Sequence, residues 1–284
     1  MVLMSAKGFV VVAQNNNTVD YIKQAYALAL SIRYSQKVEQ SISIITNDTI
    51  PLQYRAIFDK IISIPGEDMA VNANWKVENR WKIYQATPYD ETIVLDTDML
   101  LLEDIDAWWR YCDKYELHFC SRIKNYKAET IIDTYHRKTF IANNLTNPYF
   151  ALHYFKKSTI AYNFYKVLEF VTKNWQQCHS IMTPVHPQNW LSMDLATAIA
   201  IEIMGLQDTA LSKNSPMEFI HMKPGIQGWA YVPTSWQDAV SHVLTNKGEL
   251  IVSNIKQHKI FHYVEKNFIT DDMLVTLRAL VNDN

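Results

Sequence analysis

The sequence predicts an α/β fold, a mostly parallel central sheet with helices on its faces. Strand-like and helix-like patterns alternate through residues 1–110, the order that builds parallel sheets. One stretch, Glu91 to Leu102, is apolar on both sides of Asp96-Thr97-Asp98. An apolar run of this length, bounded by charge, reads as a strand buried on both faces. A hydrophobic content of 48% with only six glycines indicates a compact chain with a sizeable core.

The elements follow in order. Gly8 to Ala13 is the first strand. Gln14 to Thr18 is a polar loop, with Thr18 as helix N-cap. Ile22, Ala25, Ala29 and Ile32 keep helical spacing. Ser41 to Thr46 is the second strand, closed by Asn47-Asp48. Pro51 opens a helix that runs to Asp59. Lys60 to Ile64 is a third strand, ended by Pro65-Gly66. Glu78 to Thr87 is helical, and Pro88 stops it. Met193-Asp194-Leu195 begins an apolar helix, Ala196 to Met204, that Gly205 caps. Leu250 to Ile255 is strand-like.

Buried strands do not end in two carboxylates without compensation, because unpaired charge is costly to desolvate. Side chains two apart in a strand share a face. Asp96 and Asp98 are therefore expected to converge at the carboxyl end of a central strand, where open α/β sheets bind ligands. Two hard oxygen ligands with positions left free suit Mn²⁺ or Mg²⁺ carrying a diphosphate. The plain alternative is a turn with two solvated aspartates.

Several pieces then match one family in order. Tyr21-x-x-Gln24-Ala25 and Ala29-x-Ser31-Ile-Arg33 resemble its Tyr-x-x-Gly-Ala and Ser-Leu-Arg helix. Phe58-Asp59-Lys60-Ile61-Ile62 resembles its Phe-Asp-x-Val-Ile edge. Asp96-Thr97-Asp98, then Ile105-Asp106, resembles its Asp-x-Asp motif and following Asn-Ile-Asp. Residues 1–110 thus resemble nucleotide-sugar glycosyltransferases of the GT-A fold, closest to glycosyltransferase family 8, which includes glycogenin. The resemblance implies one domain over 1–284, with a nucleotide-sugar-binding half at 1–110 and an acceptor-binding half at 111–284. It also implies a UDP-sugar donor, a hydroxyl acceptor and retention at the anomeric carbon.

Roles follow from the resemblance, each beside a plainer reading. Tyr21 stands where the family stacks a ring on uracil; otherwise it covers the core edge. Arg80, sixteen residues before Asp96, takes the place of a donor-binding lysine and would bind phosphate or ribose oxygens as a catalytic cation; otherwise it is a solvated helix charge. Asp96, Thr97 and Asp98 would hold donor and metal. Asp194 would hold sugar hydroxyls near the anomeric carbon, although Leu195 replaces the family's Gln; otherwise Asp194 complements a helix dipole. Pro148 to Lys156 falls where the family lines its sugar site, with Ala151 and His153 in place of Asn and Gly. The third metal ligand is His262, with Lys266 as phosphate partner, or alternatively His221 with Lys223. A half-buried structural histidine is the plain reading of either. Imidazole beside two carboxylates is a sensible set for Mn²⁺.

Between Ala107 and Cys178 eleven basic residues face five acidic ones, although the chain as a whole carries −2. Tyr126, Tyr149 and Tyr154 are among the aromatics interleaved with them. The block predicts either an anionic acceptor, DNA in its sharpest form with Lys156 and Lys157 as contacts, or a solvated helical face. Cys112, Cys120 and Cys178 lack metal spacing, and an odd count suggests free thiols in a reducing compartment. No signal segment or membrane span is read in the sequence. The expectation is a cytoplasmic enzyme with no membrane partner, and a homodimer is among the expected assemblies. Two other functions remain open. A sugar nucleotidyltransferase normally carries a Gly-rich loop after strand one, unlike Gln14 to Asn17. A non-catalytic nucleotide-binding protein would not need both aspartates. Replacing either Asp by Asn is expected to spare the fold by relieving repulsion between the two carboxylates.

Overall fold

The computed structural model describes residues 6–73, 75–131, 137–212, 214–222 and 236–283. Four parallel strands lie side by side: β3 (Lys60–Ile62), β2 (Ser41–Ile45), β1 (Lys7–Val12) and β4 (Glu91–Leu95). Two antiparallel strands extend the sheet beyond β4, first β8 (Tyr149–Lys156) and then β6 (Leu117–Cys120). The β-branched runs of β1, β2 and β4 are buried on both faces, as parallel strands under helices must be. A second sheet runs β5 (Met99–Leu101), β13 (Ile260–His262), β9 (Phe219–His221), β7 (Ile123–Lys124). A small hairpin sheet holds β10 (His242–Leu244), β11 (Leu250–Val252) and β12 (Ile255–Lys256).

Helices α1 (Tyr21–Ser35) and α4 (Asp106–Cys112) cover one face of the main sheet. Helices α3 (Ile83–Ala86), α6 (Thr159–Lys173), α7 (Trp175–Met182) and α8 (Met193–Met204) cover the other. Helix α10 (Asp271–Asn282) packs on α1 and joins a third cluster around Phe261, Tyr263 and Phe268. The shorter helices are α2 (Leu52–Arg55), α5 (Lys138–Ala142) and α9 (Trp236–Ala239). No helix among the described residues is long and apolar enough to cross a membrane. The three cysteines are free and buried.

Four local readings need correction. The N-cap of α1 is Asp20, whose carboxylate accepts the Lys23 amide at 2.9 Å. Thr18 instead gives its own amide to Asn16 Oδ1, because the Asn side chain closes a turn first. The helix after Pro51 lasts only from Leu52 to Arg55, and the one before Pro88 begins as a 3₁₀ turn at Arg80–Lys82. The largest correction concerns Glu91 to Leu102. This is not one strand. It breaks at Asp96 to Asp98, so β4 belongs to the first sheet and β5 to the second. The two aspartates sit on the turn between sheets, and strand alternation does not aim them.

Two histidines are fully buried. His118 Nε2 pairs with Ser215 Oγ at 2.7 Å, and His153 bridges the Phe150 carbonyl and Tyr165 hydroxyl. Burial pulls His118 down to about 4 and His153 to about 3. Both stay neutral in the folded state while the unfolded chain takes up protons below about 6.5. Stability is therefore at its full value above that pH and falls progressively as the pH drops toward 4. A thermal midpoint that declines over this window, and declines less steeply in His118→Gln, is the expected result of a melting series against pH.

Candidate active site

The strand order reverses between β1 and β4, with α1 after β1 on one face of the sheet and α3 before β4 on the other, and such a switch point opens a crevice at the carboxyl ends. Asp96 stands at the end of β4 and gives its amide to the Ala151 carbonyl of β8 at 3.0 Å. Its Oδ1 accepts Arg80 Nη2 at 2.7 Å. Asp98 is 2% exposed. Its Oδ2 accepts the Lys266 ammonium at 2.5 Å and lies 3.2 Å from His262 Nε2. Thr97 is buried between them.

Charges decide the protonation states. Burial pushes the Asp98 carboxyl upward, but Lys266 and His262 overcome this and hold it well below the usual carboxylate range. Burial would also discharge Lys266 and Arg80, and the aspartates keep both above their ordinary values. Each carboxylate thus has its own cation.

Three ligand atoms, one each from Asp96, Asp98 and His262, lie within 4.8 Å of one another. Two opposite ligands on Mg²⁺ span about 4.2 Å, so small side-chain movements would close the group on one ion. His262 Nδ1 is buried without a hydrogen-bond partner among the described residues. A carboxylate pair with an imidazole that has a spare nitrogen fits a divalent ion of the Mn²⁺ type. His221 is the in-register neighbour of His262, their rings 4.7 Å apart, but it is not one of the three. Lys223 lies outside the described residues. His262→Ala should therefore weaken Mn²⁺ binding, followed by calorimetry, at least tenfold more than His221→Ala. The reverse ranking would move the ligand to His221.

The path from His262 to Lys266 is strained. Val264 has φ +68°, and the Glu265 amide bonds back to the Tyr263 carbonyl at 2.7 Å. This is a γ-turn centred on a β-branched residue at positive φ, a costly geometry found mostly at functional sites. It turns Lys266 back over Asp98 and to 5.5 Å from the Tyr21 ring centroid. Gln24, one helical turn after Tyr21, donates to the Lys266 carbonyl at 2.9 Å and touches Thr97 Oγ1 at 3.5 Å. It replaces the family's Gly in the Tyr21 motif, and helical spacing could have assigned it to the site. Tyr21 and Lys266 border a cavity of about 880 Å³ whose other walls include Asn15 to Val19, Trp75 and Lys76.

Asp194, in the first turn of α8, lies on the other side of Ala151. Its Oδ2 pairs with Arg137 Nη2 at 2.7 Å, and its Oδ1 accepts the Phe150 amide at 2.8 Å. Arg137 is buried and stacks 3.9 Å over Tyr149. The register of β8 slips against β6 between Phe119 and Cys120, and such irregularities re-aim backbone beside a site. Here the amide of Phe150 meets Asp194 while the carbonyl of Ala151 meets Asp96. Arg137 escaped the sequence reading, since nothing local separates it from the other basic residues around it. Leu195 is fully buried in the core and offers no polar group.

Two expectations fail here. His153 does not line the site, because both of its ring nitrogens are used inside the core. Lys156 pairs with Glu91 across the sheet, at the opposite end from Ala151. Five residues at about 3.4 Å each place its backbone roughly 17 Å from Asp96. Its ammonium is bound to Asp113 at 2.9 Å. The basic block is further dispersed by pairs of Arg137 with Asp194, and of Lys166 and Lys173 with Glu169.

No protein-family model and no curated protein matches the chain. Solved structures do. The galactosyltransferase LgtC, in complex with donor and acceptor sugar analogues, aligns with a TM-score of 0.55 over 97% of this chain and 95% of its own, at 14% identity. Mouse xyloside xylosyltransferase 1 aligns at 0.53 over 90% and 97%, at 10% identity. Identities this low establish architecture. The chain has the GT-A fold of these sugar transferases, as its motifs implied.

Proposed function

We propose that the protein is a metal-dependent glycosyltransferase that moves a sugar from a UDP-sugar to a hydroxyl acceptor. One observation carries this reading: Asp96, Asp98 and His262 gather at the carboxyl end of β4, beside the cavity bordered by Tyr21 and Lys266. Asp96, Asp98 and His262 would hold Mn²⁺ or Mg²⁺. When bound, the ion would supply positive charge to the departing diphosphate. Tyr21 would stack on the base, and buried Thr97 would help position the two aspartates that flank it. Lys266 would exchange Asp98 for a phosphate oxygen, and Arg80 would fix Asp96 and add charge against the diphosphate. Asp194, held by Arg137 and the Phe150 amide, would accept from sugar hydroxyls. Retention at the anomeric carbon is proposed on the family resemblance. We read residues 1–284 as one domain, since the β5–β13 pairing in the second sheet binds the donor half to the C-terminal segment.

A glycan or protein hydroxyl is the acceptor favoured by the dispersed ion pairs described above. The nucleotidyltransferase reading is weaker. The loop after β1 is built on Asn side chains, with Asn15 Oδ1 accepting the Ile22 amide and Asn16 Oδ1 the Val19 amide. A glycine cradle for a triphosphate has no counterpart there. A panel of UDP-sugars incubated with Mn²⁺ should release UDP from one member, and chelation should stop it. No release from any member, together with no calorimetric UDP binding, would refute the proposal.

A further inference from the structure

Between α3 and α6, on the sheet face covered by α8, lies a cleft of about 340 Å³. Its walls are aromatic: Trp81, Tyr84, Tyr162 and Tyr165. Tyr84 meets Tyr165 at 5.6 Å and Tyr162 at 5.8 Å between centroids. Two of the rings are fixed through their hydroxyls, Tyr84 on the Ser158 carbonyl at 3.1 Å and Tyr165 on His153 at 2.7 Å. Tyr162 is 47% exposed. The remaining lining is polar. Glu169 is clamped by Lys166 at 3.0 Å and Lys173 at 2.7 Å, and Gln85 is exposed.

The cleft is one of three cavities related by shared wall residues. It shares Trp81 and Gln85 with a neighbouring cavity of about 670 Å³. That cavity in turn shares Val71 and Asn72 with the cavity beside Tyr21 and Lys266.

We infer that this cleft is a second saccharide-binding site, which holds a neutral glycan away from the reacting centre. The chemistry selects the occupant. Tyr162 offers an exposed ring face to the C–H side of a pyranose, seated on the ring of Tyr84, which Tyr165 supports from the core, and tyrosine does so at little entropic cost. Gln85 and the remaining lone pairs of Glu169 can exchange hydrogen bonds with hydroxyls at the ring edge. A purely apolar ligand would strip water from these groups and return nothing. A polyanion meets lysines already committed to Glu169. The volume is at the lower end of ligand pockets and holds a short saccharide, whereas a protein partner needs about 800 Å² of surface. The link to an acceptor chain rests on the transferase reading; the binding itself does not.

The test uses the whole chain and four neutral probes: maltohexaose, cellohexaose, chitohexaose and β-1,4-galactohexaose. Binding is followed by tryptophan fluorescence and by NMR of the Trp indole N–H signals. At least one probe should bind, and Tyr162→Ala should weaken it tenfold or more with the melting temperature kept. Gln85→Ala should weaken it less, and UDP affinity should not move in either variant. No binding by any probe at 20 mM, or equal binding to Tyr162→Ala, overturns the inference. Oligosaccharide binding that Tyr162→Ala abolishes, in a protein that releases no UDP from any UDP-sugar, would keep the cleft and discard the transferase. UDP release with no oligosaccharide binding would do the opposite.

Discussion

Asp98→Asn should lose about three orders of magnitude in metal-dependent UDP-sugar turnover and should also melt at lower temperature. The activity loss follows from removing a buried ligand that faces both His262 and Lys266; electrostatic groups of this kind carry factors of about 10²–10³. The stability loss departs from what adjacent carboxylates suggest. Neighbouring aspartates would gain from neutralising one of them, but these two do not face each other as an unpaired couple. Asp96 has Arg80 and Asp98 has Lys266. Removing Asp98 leaves Lys266, whose side chain is 33% exposed, without its closest counter-charge, and breaking this half-buried pair from one side costs about 1–2 kcal/mol, below the range for fully buried pairs. In a chain of this size that lowers the melting temperature by roughly 2–5 °C. The pH dependence supplies a second reading. The folded carboxyl sits below its ordinary value, so its stabilisation is present above the unfolded value, near 3.9, and is lost as pH falls through the folded one. The gap between wild type and Asp98→Asn should be constant from pH 5 to 7 and shrink in stronger acid. Equal melting at pH 7 would contradict the ion-pair account, and unchanged turnover would remove Asp98 from the site.

The first four strands were legible because their signals are local. The apolar runs of β1, β2 and β4 name themselves, and Tyr21, Arg80 and Asp96 each stand at the end of an element whose pattern is clear. The break within Glu91 to Leu102 was not legible. Both halves of that run are equally apolar, and only the pairing of Met99 with His262, far along the chain, shows that β5 has left the first sheet. The placement of Lys156 failed for a related reason. Sequence order put it just after the segment beside the site, but β8 runs antiparallel to β4, so each further residue moves away from Asp96. Arg137 was hidden because its partner, Asp194, is 57 residues distant, a pairing that no spacing rule predicts. His262 could be preferred over His221 from chain order, yet the two are in-register neighbours, and only distances to Asp98 separate them.

Lys266→Met should bind Mn²⁺ at least about tenfold more tightly than the wild-type protein when no nucleotide is present, and should bind UDP more weakly when Mn²⁺ is present. The ammonium and a metal ion compete for one atom. Lys266 Nζ lies 2.5 Å from Asp98 Oδ2, the oxygen that also faces His262. An incoming ion must first displace a close charge-assisted hydrogen bond, one of the stronger kinds. Methionine fills similar space without charge, which leaves the Asp98 carboxylate in want of a cation. Tenfold corresponds to about 1.4 kcal/mol, a modest share of such a pair. The nucleotide enters through the same side chain. A bound diphosphate would give the ammonium a new partner and would leave Asp98 to the ion. Coupling of this kind is reciprocal: Mn²⁺ should raise UDP affinity in the wild type by the same factor as UDP raises Mn²⁺ affinity. In Lys266→Met most of this factor should vanish. Titrations of Mn²⁺ followed by its paramagnetic resonance signal, with and without UDP, measure all four corners of the cycle without any turnover. Unchanged Mn²⁺ affinity in the variant would show that Lys266 does not guard Asp98, and a preserved coupling factor would place the link between metal and nucleotide elsewhere, with Arg80 on Asp96 as the next residue to test.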